Sequence, residues 1–135
     1  MGFIDWNDNF KLGVPSMDAD HRRMAELLNL FCAAADRSAP SQELSQSLTR
    51  LIDETERHFK REEELLDQLH YPELPYHRLE HQRLMAQLRH FHGRLQIGQV
   101  AREHGIEMAD WLRRWLFEHI QGEDKAYRPF VMRLA

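Results

Sequence analysis

Histidines stand in this chain where leucines belong. Four stretches carry apolar residues at steps of three and four, the mark of helices with one buried face, and each gives at least one of those places to histidine. The first stripe runs Met17, His21, Met24, Leu28, Phe31, Ala35, and the second Leu44, Leu48, Leu51, Thr55, His58, Glu62, Leu65, Leu69. The third reads Leu74, His77, His81, Leu84, Leu88, Phe91, Leu95, and the fourth Met108, Trp111, Trp115, His119. Burying a polar group without a partner costs roughly 1–3 kcal/mol, so these histidines need a shared source of satisfaction. Whatever fold forms must bring them to one place.

Strand signals are weak, with few β-branched runs and no Asn-Gly hairpin turn. Short connections between neighbouring helical stripes predict an all-α, antiparallel up-down-up-down four-helix bundle. We place a non-helical N-terminal arm over about 1–16 and helices over about 17–36, 41–69, 73–94 and 103–122, within one domain spanning the chain. Trp6 and Phe10 are expected to anchor the arm. Asp18 or Asp20 favours the start of the first helix, Ser41 caps the second, and Gly122 loosens the end of the fourth.

Helical rise then sets the height of each histidine. At about 1.5 Å per residue, His21 lies about 15 residues before the end of its helix and His58 about 16 after the start of the next. Antiparallel packing sets those two opposite each other. His77 and His81 begin the third helix just as His58 and Glu62 approach the end of the second. His119 lies as far into the fourth helix as the His77–His81 pair lies from the end of the third. All the inward polar residues meet in one layer, the arrangement of a metal site in a bundle core.

Composition excludes other classes. Basic and acidic residues are interspersed, 18 against 22, for a net charge of −4 with histidine neutral. That leaves no footprint for nucleic acid and no polybasic patch for a membrane surface. No apolar run approaches the ~18 residues of a membrane span. The N-terminal MGFIDWNDNF lacks the charged and apolar regions of a signal peptide. Cys32 is the single cysteine, which excludes an internal disulfide and fits a reducing, cytoplasmic setting; it is expected to be a small buried apolar residue.

Five stripe histidines, with Glu62 and a carboxylate near residue 124, exceed what one tetrahedral zinc takes. Calcium prefers oxygen ligands. Mixed nitrogen and oxygen donors around two metals suit iron or manganese, and the preponderance of imidazole favours iron. The metal-free layer would hold carboxylates among crowded imidazoles, so that form is expected to be substantially less stable. Helical arithmetic favours Glu123 as the second carboxylate, because a residue five positions after His119 points about 140° away.

Together these residues resemble the hemerythrin family in its bacterial single-domain form. The motifs are Trp6, an acidic-x-x-His ending at His21, HFKREE at 58–63, HRLEH at 77–81 and HIQGED at 119–124. A lone His-x-x-x-His arises by chance on surface helices; four motifs in this order, at one level and across essentially the whole chain, are specific. The resemblance implies two iron ions joined by an oxo or hydroxo bridge. His77, His81 and His119 would hold one, coordinatively saturated; His21 and His58 would hold the other, which keeps an open position. Glu62 and Asp124 would bridge them, and Asp124 at the fifth position requires the helix to distort near Gly122. Reversible binding of dioxygen at the open iron follows from the resemblance, for carriage, storage, delivery or sensing rather than enzymatic turnover. Trp115 and Leu116, with Leu28 and Phe59, are expected to line an apolar oxygen pocket.

The competing readings are a di-iron oxidase, peroxidase or nitric-oxide-handling enzyme on the same scaffold, and iron storage. Ferritin-type storage uses more carboxylates and a Glu-x-x-His spacing, whereas His58 and Glu62 run the other way. His70, His90, His92 and His104 fall off the layer, and the EEELLD run at 62–67 reads as a solvated face with only Glu62 turned inward. A signalling or oxygen-consuming partner protein is compatible with such a module and is not identified by these residues.

Overall fold

Proline fixes where two of the helices begin. Pro15 opens α1 (Pro15–Asp36) and Pro75 sits in the first turn of α3 (Leu74–Gln96). The missing N–H costs little there, and the fixed φ is already helical. The computed structural model describes residues 12–98 and 102–132, without the side chains of Arg102, Glu123 and Met132. The expected anchors Trp6 and Phe10 lie outside these residues; Leu12–Val14 precede α1 without helix, and Leu12 is fully buried.

Two of the expected caps are replaced. α2 (Ser41–Gln68) has Pro40 as its N-cap, so Ser41 is the first helical residue and makes no capping bond. Neither Asp18 nor Asp20 caps α1, although Asp18 stands in its first turn, where a negative charge favours the helix start. Asp18 accepts the N–H groups of Leu12 (2.7 Å) and Gly13 (3.1 Å), tying the preceding segment to the helix.

α1 and α2 end alike, each in a left-handed residue that is not glycine: Ser38 with φ 57° and His70 with φ 56°. The N–H of Ser38 bonds to Ala35 and that of Ala39 to Ala34, while His70 bonds to Asp67 and Tyr71 to Leu66. These are Schellman closures, in which two carbonyls left over by the helix are satisfied by the turn that reverses the chain.

α2 packs between α1 and α3, and α4 (Arg102–Glu118) packs on α1, giving the antiparallel four-helix bundle. The stripes of α1 and α3 are buried at the expected positions. In α2 the stripe drifts, and Leu66 is buried where Leu65 was expected. In α4 the core face is shifted by one residue, to Ala109, Leu112, Leu116 and Ile120, with Met108, Trp111 and Trp115 half-buried beside it. Small and aliphatic residues fill the narrow interior, and the wide indoles cover its margin.

The fourth helix does not end at Gly122. Its path passes through a π-helical turn, His119–Asp124, and continues as α5 (Lys125–Met132). No strand occurs among the described residues, and no helix there is long and apolar enough to cross a membrane.

Candidate metal centre

Each helix of the bundle delivers its polar residues to one buried layer. His21 comes from α1, His58 and Glu62 from α2, His77 and His81 from α3, and His119 and Asp124 from the two ends of the π turn. All seven are buried. Their donor atoms form two overlapping groups: Glu62, His77, His81 and His119, and His21, His58, Glu62 and Asp124, with the atoms of each group within 4.8 Å of one another.

The π turn explains how Asp124 arrives. In an α-helix the fifth residue on is rotated well away, but π geometry closes i→i+5 and restores it to the same face. Asp124 Oδ1 accordingly lies 3.0 Å from His119 Nε2. The distortion expected near Gly122 is a widened turn with Gly122 inside it. The side chain of Glu123, which regular helical arithmetic favoured, lies outside the described residues.

Both carboxylates are divided between the two groups. Glu62 Oε1 lies 2.6 Å from His77 Nε2 and 3.1 Å from His81 Nε2, while its Oε2 lies 3.2 Å from His58 Nε2. Asp124 Oδ1 faces His77 (3.1 Å) and His119, and its Oδ2 faces His21 Nε2 at 3.0 Å. The Nε2 atoms of His21 and His58 approach to 3.0 Å. Adjacent donors on a six-coordinate ion with bonds of about 2.1 Å sit about 3.0 Å apart, so these spacings suit metal ligation. Both oxygens of Asp124 and Nε2 of His81 are buried and make no hydrogen bond of acceptable geometry. Lone pairs aimed at a common point leave that signature, and the donor set fits a pair of metal ions.

The outer nitrogens of two rings are held by carboxylates. His58 Nδ1 donates to Asp20 Oδ2 at 2.9 Å, and Arg61 grips Asp20 through Nε (3.0 Å) and Nη2 (2.5 Å). His81 Nδ1 donates to Glu63 Oε2 at 2.8 Å, and Arg78 lies beyond Glu63. Such bonds fix ring orientation and leave Nε2 as the inward donor. Phe59 stacks on His81 at 3.6 Å and Trp115 on His119 at 4.7 Å, which stiffens His81 further and adds His119. Tyr127, fully buried on α5, donates its hydroxyl to Glu62 Oε2 at 3.0 Å.

Charges in the layer are strongly coupled. Burial alone would depress His58, yet Glu62 and Asp20 outweigh it and raise the ring to about 9. His77 likewise rises to about 9, where Asp124 and Glu62 overcome burial. Burial would raise Glu62, but the imidazoles around it hold it well below the usual range. Burial and the Glu62 charge would both raise Asp124, and His119 and His21 reverse them. Burial would also raise Asp20, and its bonds to His58 and Arg61 take it down to about 2. The Tyr127 phenol is pushed far up by burial and by both carboxylates, so it stays a donor.

A cavity of about 10 Å³ adjoins the layer, walled by Met24, Thr55, Leu84, Trp115 and Leu116 and, further off, by Leu28 and other leucines. Met24, Thr55, Leu84 and Leu116 each lie three residues from a histidine of the layer, so the cavity is one helical turn away on the side away from α5. Trp115, Leu116 and Leu28 line it; Phe59 does not, and stacks on His81 instead.

Asp20, Glu63 and Tyr127 were not singled out from the sequence as site residues. Glu63 lies in the run read as a solvated face, and Tyr127 beyond the expected end of the fourth helix. The available signal was a carboxylate directly beside an inward residue, Asp20 before His21 and Glu63 after Glu62. Cys32, as expected, is a buried residue, and burial raises its thiol to about 11.

Fold and site together define a metal-binding helical-bundle protein. Residues 12–131 match the Hemerythrin family, described as the hemerythrin HHE cation binding domain. The chain belongs to the hemerythrin family. It is 32% identical to a bacteriohemerythrin of Stenotrophomonas maltophilia over 131 residues, 97% of this chain and 83% of that protein. To myohemerythrin-1 of Phascolopsis gouldii it is 27% identical over 123 residues, covering 91% and 90% of the two chains. A crystal structure of wild-type hemerythrin superposes with a TM-score of 0.80 at 25% identity, covering 95% of this chain and 97% of that one.

Proposed function

We propose that this chain holds two iron ions and binds dioxygen reversibly. The observation that supports this most directly is the division of Glu62 and Asp124, each of which turns one oxygen toward each histidine group. His77, His81 and His119 serve one ion together with Glu62 Oε1 and Asp124 Oδ1. His21 and His58 would hold the other with the remaining two oxygens, so this second ion would have one protein donor fewer. Two ferrous ions so held would supply two electrons and an open position to dioxygen.

The surrounding residues favour release over onward chemistry. Trp115, Leu116, Leu28 and Met24 wall a small, largely apolar space beside the layer. The carboxylates behind the ligand rings, Asp20 and Glu63, are occupied with histidine rings and cations. A largely apolar pocket with no carboxylate or imidazole in its wall slows the loss of reduced oxygen.

Metal analysis and absorption spectra test this. The purified protein should contain two irons per chain, and the reduced form should gain an intense visible band in air that disappears under vacuum. Rapid irreversible bleaching would instead indicate a di-iron oxidase or peroxidase. Absence of iron uptake would refute the metal assignment altogether.

A further inference from the structure

Three aromatic rings lead from the buried layer toward the surface on the side opposite the cavity. The ring of Tyr127 lies 5.8 Å from that of His77, and the ring of Tyr71 lies 6.2 Å beyond it. Phe130 packs edge-on against Tyr71 at 5.5 Å. Tyr127 is fully enclosed, whereas Tyr71, in the turn between α2 and α3, is only half-buried. The His77–Tyr127 pair is tilted at 58° and the Tyr127–Tyr71 pair is edge-to-face, both with centroids near 6 Å, close enough for an electron to cross each in turn. Tyr127 alone of these rings is also hydrogen-bonded to a carboxylate of the layer, through its hydroxyl to Glu62 Oε2 at 3.0 Å.

We infer that Tyr127 and Tyr71 form an outlet for oxidising equivalents, through which a wrongly over-oxidised centre is discharged to the surface. This rests on the di-iron reading above. With iron bound, the first step would move one electron from Tyr127 to the metal centre and its hydroxyl proton to the Glu62 carboxylate it is bonded to, breaking the O–H bond and leaving a neutral phenoxyl. Moving both particles matters because the layer is buried. Electron transfer alone would leave a cation on an enclosed ring, whereas the coupled transfer leaves net charge at both places unchanged. Tyr71 then gives an electron to Tyr127, which recovers its proton from Glu62, and Tyr71 releases its own proton to water. A thiol in solution supplies the hydrogen atom that restores Tyr71.

The competing exit is Trp115, stacked on His119 at 4.7 Å and half-buried. A carboxylate of the layer stands ready to take the proton of Tyr127, which favours the tyrosine side. Tyr76 is 51% exposed and serves as an internal control for oxidation from solution.

The test uses the iron-loaded full chain, challenged in its reduced form with hydrogen peroxide in the absence of thiol. Freeze-quenched samples are read by electron paramagnetic resonance and by peptide mass spectrometry, with every yield expressed per bound iron. A tyrosyl signal should appear, and modification should concentrate on Tyr71 over Tyr76. Tyr127→Phe should abolish the Tyr71 modification, and Tyr71→Phe should prolong the radical and hold it on Tyr127. Modification of Tyr71 that persists in Tyr127→Phe would overturn the outlet, as would oxidation centred on Trp115 or confined to Tyr76. A chain that binds two irons yet gives any of those results loses only the outlet; a chain that binds none loses the di-iron reading as well.

Discussion

His119 and Asp124 are five residues apart, and yet His119 Nε2 and Asp124 Oδ1 lie 3.0 Å from each other. The π turn between them turns Asp124 to the face of His119, where we propose it as the second bridging ligand. Asp124→Asn should lower iron content well below two per chain, while Glu123→Gln keeps it. Reversal of those two outcomes in metal analysis would hand the role to Glu123.

Proton release should accompany metal uptake. In the metal-free fold His58 and His77 titrate near 9, against about 6.5 in an unfolded chain. Their charged rings therefore stabilise the metal-free fold fully below about pH 6.5, and that contribution is lost as the pH rises through about 9. Metal requires neutral rings. Ferrous loading at neutral pH should thus expel a proton from each of the two, and apparent affinity should climb until about pH 9. A pH-stat titration that finds no release would contradict the coupling of these rings to the carboxylates.

Asp20 acts on the site through His58. Removing a carboxylate that orients a ligand ring typically costs 10–100-fold in metal affinity, and a loss of about that size is expected for Asp20→Asn. Arg61→Ala should give a smaller loss, since Asp20 keeps its bond from His58 Nδ1. Competition with a chelator measures both, and equal affinity in Asp20→Asn and the parent would show that the ring needs no such support.

The small cavity offers a separate handle. Its volume of about 10 Å³ leaves nothing spare for a larger side chain. Leu28→Phe should retain iron yet weaken or abolish the band that appears in air, read by parallel iron analysis and spectroscopy. A normal band in that variant would place the bound gas elsewhere.

Two helix ends hold left-handed residues other than glycine, Ser38 and His70. An L-residue there carries a strain of roughly 1–2 kcal/mol, partly offset by its smaller unfolded-state entropy. Ser38→Gly and His70→Gly should each stabilise the metal-free chain by up to about 1 kcal/mol in urea unfolding. Destabilisation by either would mean that the side chain itself holds the turn.

Much of the bundle was readable because α1 and α3 obey a strict helical period, and their buried residues are the ones that period picks out. Periodicity failed where the backbone departs from it. The π turn makes Asp124 inward against the 3.6-residue rule, and it carries the helix past Gly122 to Tyr127. In α4 the half-buried indoles drew the stripe one residue away from the true core at Leu112 and Leu116. Asp20 and Glu63 were hidden for another reason: each acts across a helix interface, on His58 of α2 and His81 of α3, and interhelical distances leave no trace in the spacing along one helix.

Gly122 has nothing within 4 Å of where a side chain would begin. Substitution there is therefore open, but a change of length is not. One residue added or deleted between His119 and Asp124 would swing everything beyond it by about 100° about the helix axis. Asp124 would leave His119 and Tyr127 would leave Glu62 in the same event. This stretch can drift freely in spelling at Gly122 while its residue count stays frozen, so descendants of this chain should vary here by point replacement and never by a single-codon insertion.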